Sequence, residues 1–352
     1  MHSSTSNFSQ PTPEQPWKTV WVATLILTLL LIAGVEAGYR RIGIKPSISD
    51  VNDLWCFQRH TLHAASPETV VLAGSSRMHL GFSLDTWRKQ LPDCPIVQLA
   101  IEGAQAAPVL EDLARDEGFK GTVICDVYEG GFAPLQDPLA GSWVEHYRGS
   151  WCWTRILETH LEAFAQSKLA FLNERRSTDF ILKEKILGRP LRPDIFQKNF
   201  DREASADFSL VSAPDLKIEA DNWRRGYVGR PAYSPDQLAR IADTAAAAYS
   251  EMALKIEQRG GRVIFVRFPT TGILRTEENR LYPRTQVWDR FAKGLNAKAI
   301  HFDDYPELRN FECPDESHIT RRDTPSFTLA LIQELERQQL LPQRSHKDPA
   351  RH

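Results

Sequence analysis

Hydrophobic positions along the chain change their spacing three times. From Thr19 to Val35 (TVWVATLILTLLLIAGV) the run carries no charge, and as a helix it extends about 25 Å, slightly short of a hydrocarbon core of about 30 Å. Trp17 and Trp21 suit one interface and Tyr39, Arg40 and Arg41 the other, so residues 17–38 are expected to form a transmembrane anchor. A cleaved signal peptide, with small residues at Val35 and Ala37, is the closest rival, and Glu36 and the single basic residue of the leader, Lys18, count against it. Residues 1–16 are rich in Ser, Pro, Gln and Thr and are expected to be a disordered leader. Residues 39–67 are expected to be a linker.

Beyond the linker, short apolar runs alternate with helical spacing, which predicts an α/β domain. The strands are expected at Val70–Ala73, Ile96–Ala100, Thr122–Val127, Arg262–Phe268 and Ala299–Phe302, enough for one open five-stranded sheet. Ser234 and Gln237 form a capping-box pattern ahead of a long helix that Gly260 can end. The last helix is expected from Pro325 to about Gln338, with Thr324 as its cap. The stretch 134–231 breaks the rhythm and reads as a mainly helical insertion ending in polar, loop-like sequence. Its Arg175–Arg176 and Arg224–Arg225 pairs read first as solvated helix ends and second as contacts for an anionic substrate or lipid. Residues 339–352 are expected to be a flexible tail in which His346 and His352 do not act.

Composition narrows this picture. With 352 residues, 42% of them hydrophobic, the chain buries a sizeable core, and a net charge of -2 offers no field for nucleic acid. The five cysteines include no Cys-x-x-Cys pair, which excludes a zinc knuckle or thioredoxin-like motif, and no cofactor motif is present.

Two segments carry candidate chemistry. In Thr69–Leu91 (TVVLAGSSRMHLGFSLDTWRKQL) a buried-type strand ends at Gly74, which sets the Ser75 and Ser76 hydroxyls at the carboxyl end of the sheet. Near the C-terminus, Cys313-Pro314-Asp315-Glu316-Ser317-His318 offers a base: a serine nucleophile needs an imidazole, and the imidazole needs a carboxylate. The residues alone leave both serines open. Metal-assisted hydrolysis by His60, His63, Asp315 or His318 lacks a convincing ligand set.

In their order and context the two segments resemble the SGNH (GDSL-like) hydrolase superfamily, over about residues 68–130 and 234–338. The resemblance implies a flavodoxin-like three-layer sandwich with a mainly parallel five-stranded sheet across residues 68–338. It also implies a nucleophile at Ser76, a base at His318, an orienting Asp315, and oxyanion donors at the backbone N–H groups of Ser76 and Gly103, the latter in VQLAIEGAQ. Arg77, beside the nucleophile, is a candidate substrate contact. The third family block supplies an Asn as a further donor; here the matching strand end reads CDVYEGG. Gly-Ser-Ser-Arg behind an N-terminal anchor is similar to the membrane-tethered branch that includes proteins of alginate and peptidoglycan O-acetylation and of D-alanine transfer to teichoic acids.

That likeness implies a serine esterase or O-acyltransferase acting on acyl, chiefly acetyl, esters of a cell-envelope or exported polysaccharide, together with a membrane acyltransferase partner. It also implies a single-pass protein of the bacterial cytoplasmic (inner) membrane with its C-terminal domain periplasmic or extracellular. The positive-inside rule, applied to Arg40, Arg41 and Lys45, argues for the opposite orientation. The alternative from another class is a catalytically inactive SGNH-like protein that binds polysaccharide or scaffolds an envelope acylation or secretion complex.

Overall fold

The computed structural model describes residues 16–191 and 193–341. The expectations for residues 1–15 and for 342–352, including His346 and His352, lie outside them.

Five parallel strands form the central sheet: β1 (Val70–Ala73), β2 (Ile96–Gln98), β3 (Thr122–Asp126), β6 (Arg262–Arg267) and β7 (Lys298–His301), in the order β2-β1-β3-β6-β7. A separate antiparallel hairpin pairs β4 (Phe196–Lys198) with β5 (Ala204–Ala206). Alternate strand residues feed two cores. Val71, Ala73, Val123, Cys125, Val263 and Phe265 pack with helices Ala107–Arg115 and Pro235–Glu257. Val70, Leu72, Ile124, Ile264, Val266 and Ile300 pack with Trp87 and with Phe327, Leu331 and Leu335 of helix Thr324–Arg337. Strands covered on both faces need no polar alternation, which is why β1 and β3 are buried at every residue.

The chain leaves β1 for β2 on one side and returns to β3 on the other, opening a crevice at the carboxyl ends of β1 and β3. Gly74 lies there. A Cβ on it would come within 2.6 Å of the Asp126 Cβ, so only glycine lets the turn after β1 approach the end of β3 this closely.

The observed elements depart from expectation in four places. Residues 39–67 are not a bare linker: helix Asn52–Thr61 packs on the sheet domain, and the fully buried Trp55 donates its indole N–H to the Leu99 carbonyl (2.9 Å). Thr324 does not cap the last helix. It lies inside the first turn and donates to the Thr320 carbonyl at 3.1 Å, and Asp323 occupies the cap position. The strand expected to reach Ala100 is regular only to Gln98; the Leu99 and Ile101 amides still donate to the Leu72 and Gly74 carbonyls (2.8 and 3.0 Å), and Arg202 takes the Gln98 and Ala100 carbonyls on the outer edge, each at 2.8 Å. The insertion contains helices Pro138–Ser150, Trp153–Lys168, Thr178–Ile186 and Ala213–Arg224, and its polar stretch also holds the β4–β5 hairpin.

The long helix does begin on a capping box: Ser234 Oγ accepts from Gln237 N–H (3.3 Å) and Gln237 Oε1 accepts from Ser234 N–H (2.8 Å). At the other end of the chain, helix Trp17–Arg41 is long and apolar enough to cross a membrane, and its membrane-length window is unburied.

Candidate active site

Ser75 and Ser76 follow β1 but have different surroundings. Ser75 is buried and caps helix Ser76–Gly81, its Oγ accepting from Arg77 N–H at 3.2 Å and donating to Asp126 Oδ2 at 2.7 Å. Ser76 begins the helix, where an amide has no intrahelical acceptor. From Thr69 to Leu84 every residue is buried except Ser76. The tight turn therefore presents one hydroxyl to solvent and spends the other on structure.

The C-terminal segment meets that hydroxyl. His318 Nε2 lies 2.7 Å from Ser76 Oγ, and His318 Nδ1 lies 2.6 Å from Asp315 Oδ2. Asp315 is closely held: its Oδ1 accepts from the Ser317 and His318 amides at 3.0 and 2.8 Å, and its Oδ2 also accepts from Trp223 Nε1 at 3.1 Å. Burial opposes ionisation of this carboxyl, but the His318 ring and the backbone donors outweigh it and hold its pKa below the usual carboxylate range. With the carboxylate fixed on Nδ1–H, Nε2 keeps a lone pair directed at the serine, the arrangement a general base requires. The Trp223 ring also packs edge-on against the imidazole, with 5.1 Å between centroids.

The loop that carries His318 is itself braced. Glu316, at φ 71°, accepts from the Ile273 and Leu274 amides (3.1 and 2.9 Å) at the start of helix Gly272–Leu281, and it receives Arg224 from the insertion. Arg224, expected as a solvated helix end, is thus committed to the loop that carries Asp315 and His318. Arg77, expected as a substrate contact, is also redirected: its guanidinium is buried and donates to Glu278 (2.8 Å) and Ser317 Oγ (3.3 Å). Arg77 is therefore a positioning residue between the helix that Ser76 begins and the loop that carries His318. Arg267 completes the network, donating to Glu129 (2.9 Å) and Glu278 (2.7 Å). Burial raises the Glu278 pKa, but Arg267 and Arg77 oppose it and bring it down to about 2.

Gly103 lies exposed at φ 76° just beyond β2. Two residues earlier, the Ile101 amide donates to the Gly74 carbonyl (3.0 Å), tying this turn to the one that carries Ser76. The end of β3 supplies no Asn, and its carboxylates are used structurally: Asp126 holds Ser75 and Glu129 holds Arg267. Burial pushes the Asp126 carboxyl up, the Ser75 hydrogen bond opposing it.

Asp50, His79 and Glu102 bring possible metal-ligand atoms within 4.8 Å of one another. The ammonium of Lys198 already occupies the cationic position, 2.7 Å from Glu102 and 3.5 Å from Asp50, and Arg202 pairs with Asp50 at 2.6 Å. His60 and His63 meet edge to face, 5.3 Å between ring centroids, and His63 Nε2 meets the Tyr147 hydroxyl at 2.8 Å. The five cysteines are free thiols. A groove of about 760 Å³ is lined by three arginines (Arg175, Arg176 and Arg189), four carboxylates (Glu184, Asp194, Asp215 and Glu219) and the rings of Phe180 and Phe196. Arg175 connects it to the Gly103 turn through Glu102, at 3.2 Å.

Trp223, Glu278 and Arg267 were not legible as site residues, and Arg224 was legible only as a helix end or an anion contact, not as a partner of Glu316. They lie far from Ser76 and His318 in sequence, and only the fold brings them together. No protein-family model and no curated protein sequence matches the chain.

Proposed function

We propose that the chain is a membrane-anchored serine esterase or O-acyltransferase of SGNH type, built on a flavodoxin-like sandwich, that acts on acyl esters of a cell-envelope polysaccharide. One observation carries the reading: a solvent-reaching serine, a histidine and a buried carboxylate in hydrogen-bonded series, at 2.7 and 2.6 Å, at the carboxyl end of a parallel sheet. Ser76 Oγ attacks the ester carbonyl carbon while His318 Nε2 takes its proton. The oxyanion draws on the N–H groups of Ser76 and Gly103, and collapse of the tetrahedral intermediate expels the alcohol with the proton from His318. Water or a sugar hydroxyl then attacks the acyl-serine by the same steps in reverse.

A second reading, an inactive scaffold of the same fold, draws on the carboxylates that stand where a third oxyanion donor is expected. Loss of such a donor costs about a hundredfold or more in related chemistry. The catalytic reading is favoured because the hydrogen-bonded series is complete. Localisation of the domain on the outer side of the inner membrane follows from the same reading. Arg40, basic at the flank, has a structural use in this orientation or the other, since it pairs with Glu36 and donates to the Lys168 carbonyl at 2.9 Å.

Hydrolysis of a small acetyl ester by the full chain in detergent tests the proposal. Activity lost in both Ser76→Ala and His318→Ala, with unchanged melting temperature, is the expected result; activity retained in either variant refutes the assignment.

A further inference from the structure

Helix Trp153–Lys168 turns an apolar stripe outward. Trp153, Leu157, Leu161 and Phe164 recur at intervals of four, four and three residues, so they share one face, and each is more than half exposed (74, 54, 62 and 66%). The opposite face is the one that packs, with Thr159, Ala163 and Gln166 buried. Helix Thr178–Ile186 repeats the pattern on a smaller scale, with Leu182, Ile186 and the following Leu187 exposed. A soluble surface scatters such residues and seldom lines them up.

The position of these helices identifies what covers them. The last turns of helix Trp17–Arg41 are bonded to both. Arg40 donates to the Lys168 carbonyl (2.9 Å), Glu36 accepts from the Phe171 amide (3.3 Å), and the Tyr39 hydroxyl meets Thr178 Oγ1 (2.7 Å). Tyr39 also shares a buried cluster with Ala170 and Ile181. If Trp17–Arg41 spans a bilayer, Tyr39 and Arg40 lie at the headgroup level, and whatever they hold lies there too. The C-terminal end of the striped helix and the start of the second are therefore at the membrane interface by covalent and hydrogen-bonded continuity. Along residues 168–185 the exposed Lys168, Lys183 and Lys185 outnumber the exposed Glu174 and Asp179, and exposed Arg41 adds a further positive charge at the end of the apolar helix, a balance that suits anionic headgroups.

We propose that helices Trp153–Lys168 and Thr178–Ile186 form a foot that lies in the plane of the membrane interface, with the 153–164 stripe buried among lipid acyl chains, so that the catalytic domain is seated on the bilayer and not merely tethered to it. The proposal rests on reading Trp17–Arg41 as a span. Its occupant is a lipid surface containing anionic headgroups. A seated domain holds the Ser76 crevice at a fixed height above the membrane, within reach of polymer or acyl donor arriving at that surface.

The test is photocrosslinking of the full chain in vesicles of phosphatidylethanolamine and phosphatidylglycerol. Benzoylphenylalanine is placed singly at the exposed sites Leu161→benzoylphenylalanine and Leu157→benzoylphenylalanine, with Leu29 in the apolar helix and exposed Glu251 on helix Pro235–Glu257 as references. Lipid adducts at 29, 157 and 161 and none at 251 are expected by mass spectrometry. Adducts at 29 but not at 157 and 161 overturn the foot and leave the span standing. No adduct at 29 removes the span and the foot with it. Adducts at 251 as frequent as at 161, or crosslinks from 161 to a second copy or another protein in place of lipid, also overturn the proposal.

Discussion

Replacing Asp315 by Asn tests the geometry at its narrowest point. Four donors converge on this carboxylate: the Ser317 and His318 amides on Oδ1, and His318 Nδ1 and Trp223 Nε1 on Oδ2. An amide has one oxygen. The two backbone donors cannot move and retain it at the Oδ1 position, so the NH₂ group replaces Oδ2 and faces Trp223 and His318. The imidazole relieves the conflict by shifting its proton to Nε2, so that Nδ1 accepts from the amide. Nε2–H then points at Ser76 Oγ, 2.7 Å away, and has no lone pair to take a proton. The same replacement in a serine-protease triad costs about 10⁴ in kcat, or about 5.5 kcal/mol of transition-state stabilisation. Trp223 loses a charged acceptor as well, which is worth about 1.5–3 kcal/mol at most to folding. Asp315→Asn is therefore expected to stay folded and to lose about four orders of magnitude in kcat on an acetyl ester, with Ser76→Ala giving the background rate. Retention of more than about a tenth of the rate would refute the tautomer argument.

Three further outcomes follow from neighbouring contacts. Ser75→Ala removes a helix cap and the donor to Asp126, so it should lower stability by about 1–3 kcal/mol in chemical denaturation while leaving ester hydrolysis by Ser76 in place; complete loss of hydrolysis in a folded sample would move the nucleophile to Ser75. Trp223→Phe keeps a ring beside His318 but deletes one of the four donors to Asp315, and kcat should fall about tenfold with little change in KM; an effect confined to KM would assign Trp223 to substrate. Glu278→Gln leaves Arg77 and Arg267 short of a buried partner and should cost about 3–5 kcal/mol at neutral pH. Because the folded Glu278 pKa of about 2 lies below the unfolded value, its ionisation stabilises the fold above about pH 4.5, and that contribution is lost as pH falls towards 2. Acid titration should thus bring wild type and Glu278→Gln together in stability, whereas a constant gap down to pH 2 would contradict the buried ion pairs.

How far the sequence carries depends on how local each feature is. Val70–Ala73 and the Ser234–Gln237 box are written in consecutive residues, and the observed elements match them. Asp315 and His318 are three apart, so their pairing was readable, and their meeting with Ser76 was inferred from a family likeness and not from spacing. Trp55 was not readable as core: it sits in a short segment behind the apolar run, and its burial depends on the Leu99 carbonyl 44 residues on. Arg77 shows the opposite failure. An arginine beside a nucleophile suggests a substrate contact until Glu278, 201 residues away, is brought against it. The hairpin was missed because strands of three residues carry too little alternation to register, and Arg202, at φ 60°, fixes it through long-range bonds.

The reactivity of Ser76 itself is most directly read by a fluorophosphonate probe, applied to the full chain in detergent and followed by mass spectrometry of the labelled peptide. The phosphonyl group is expected on Ser76 and nowhere else in Thr69–Leu84, and labelling should disappear in His318→Ala. A folded protein that remains unlabelled, or that carries the label on Ser75, would contradict the assignment of Ser76 as the nucleophile.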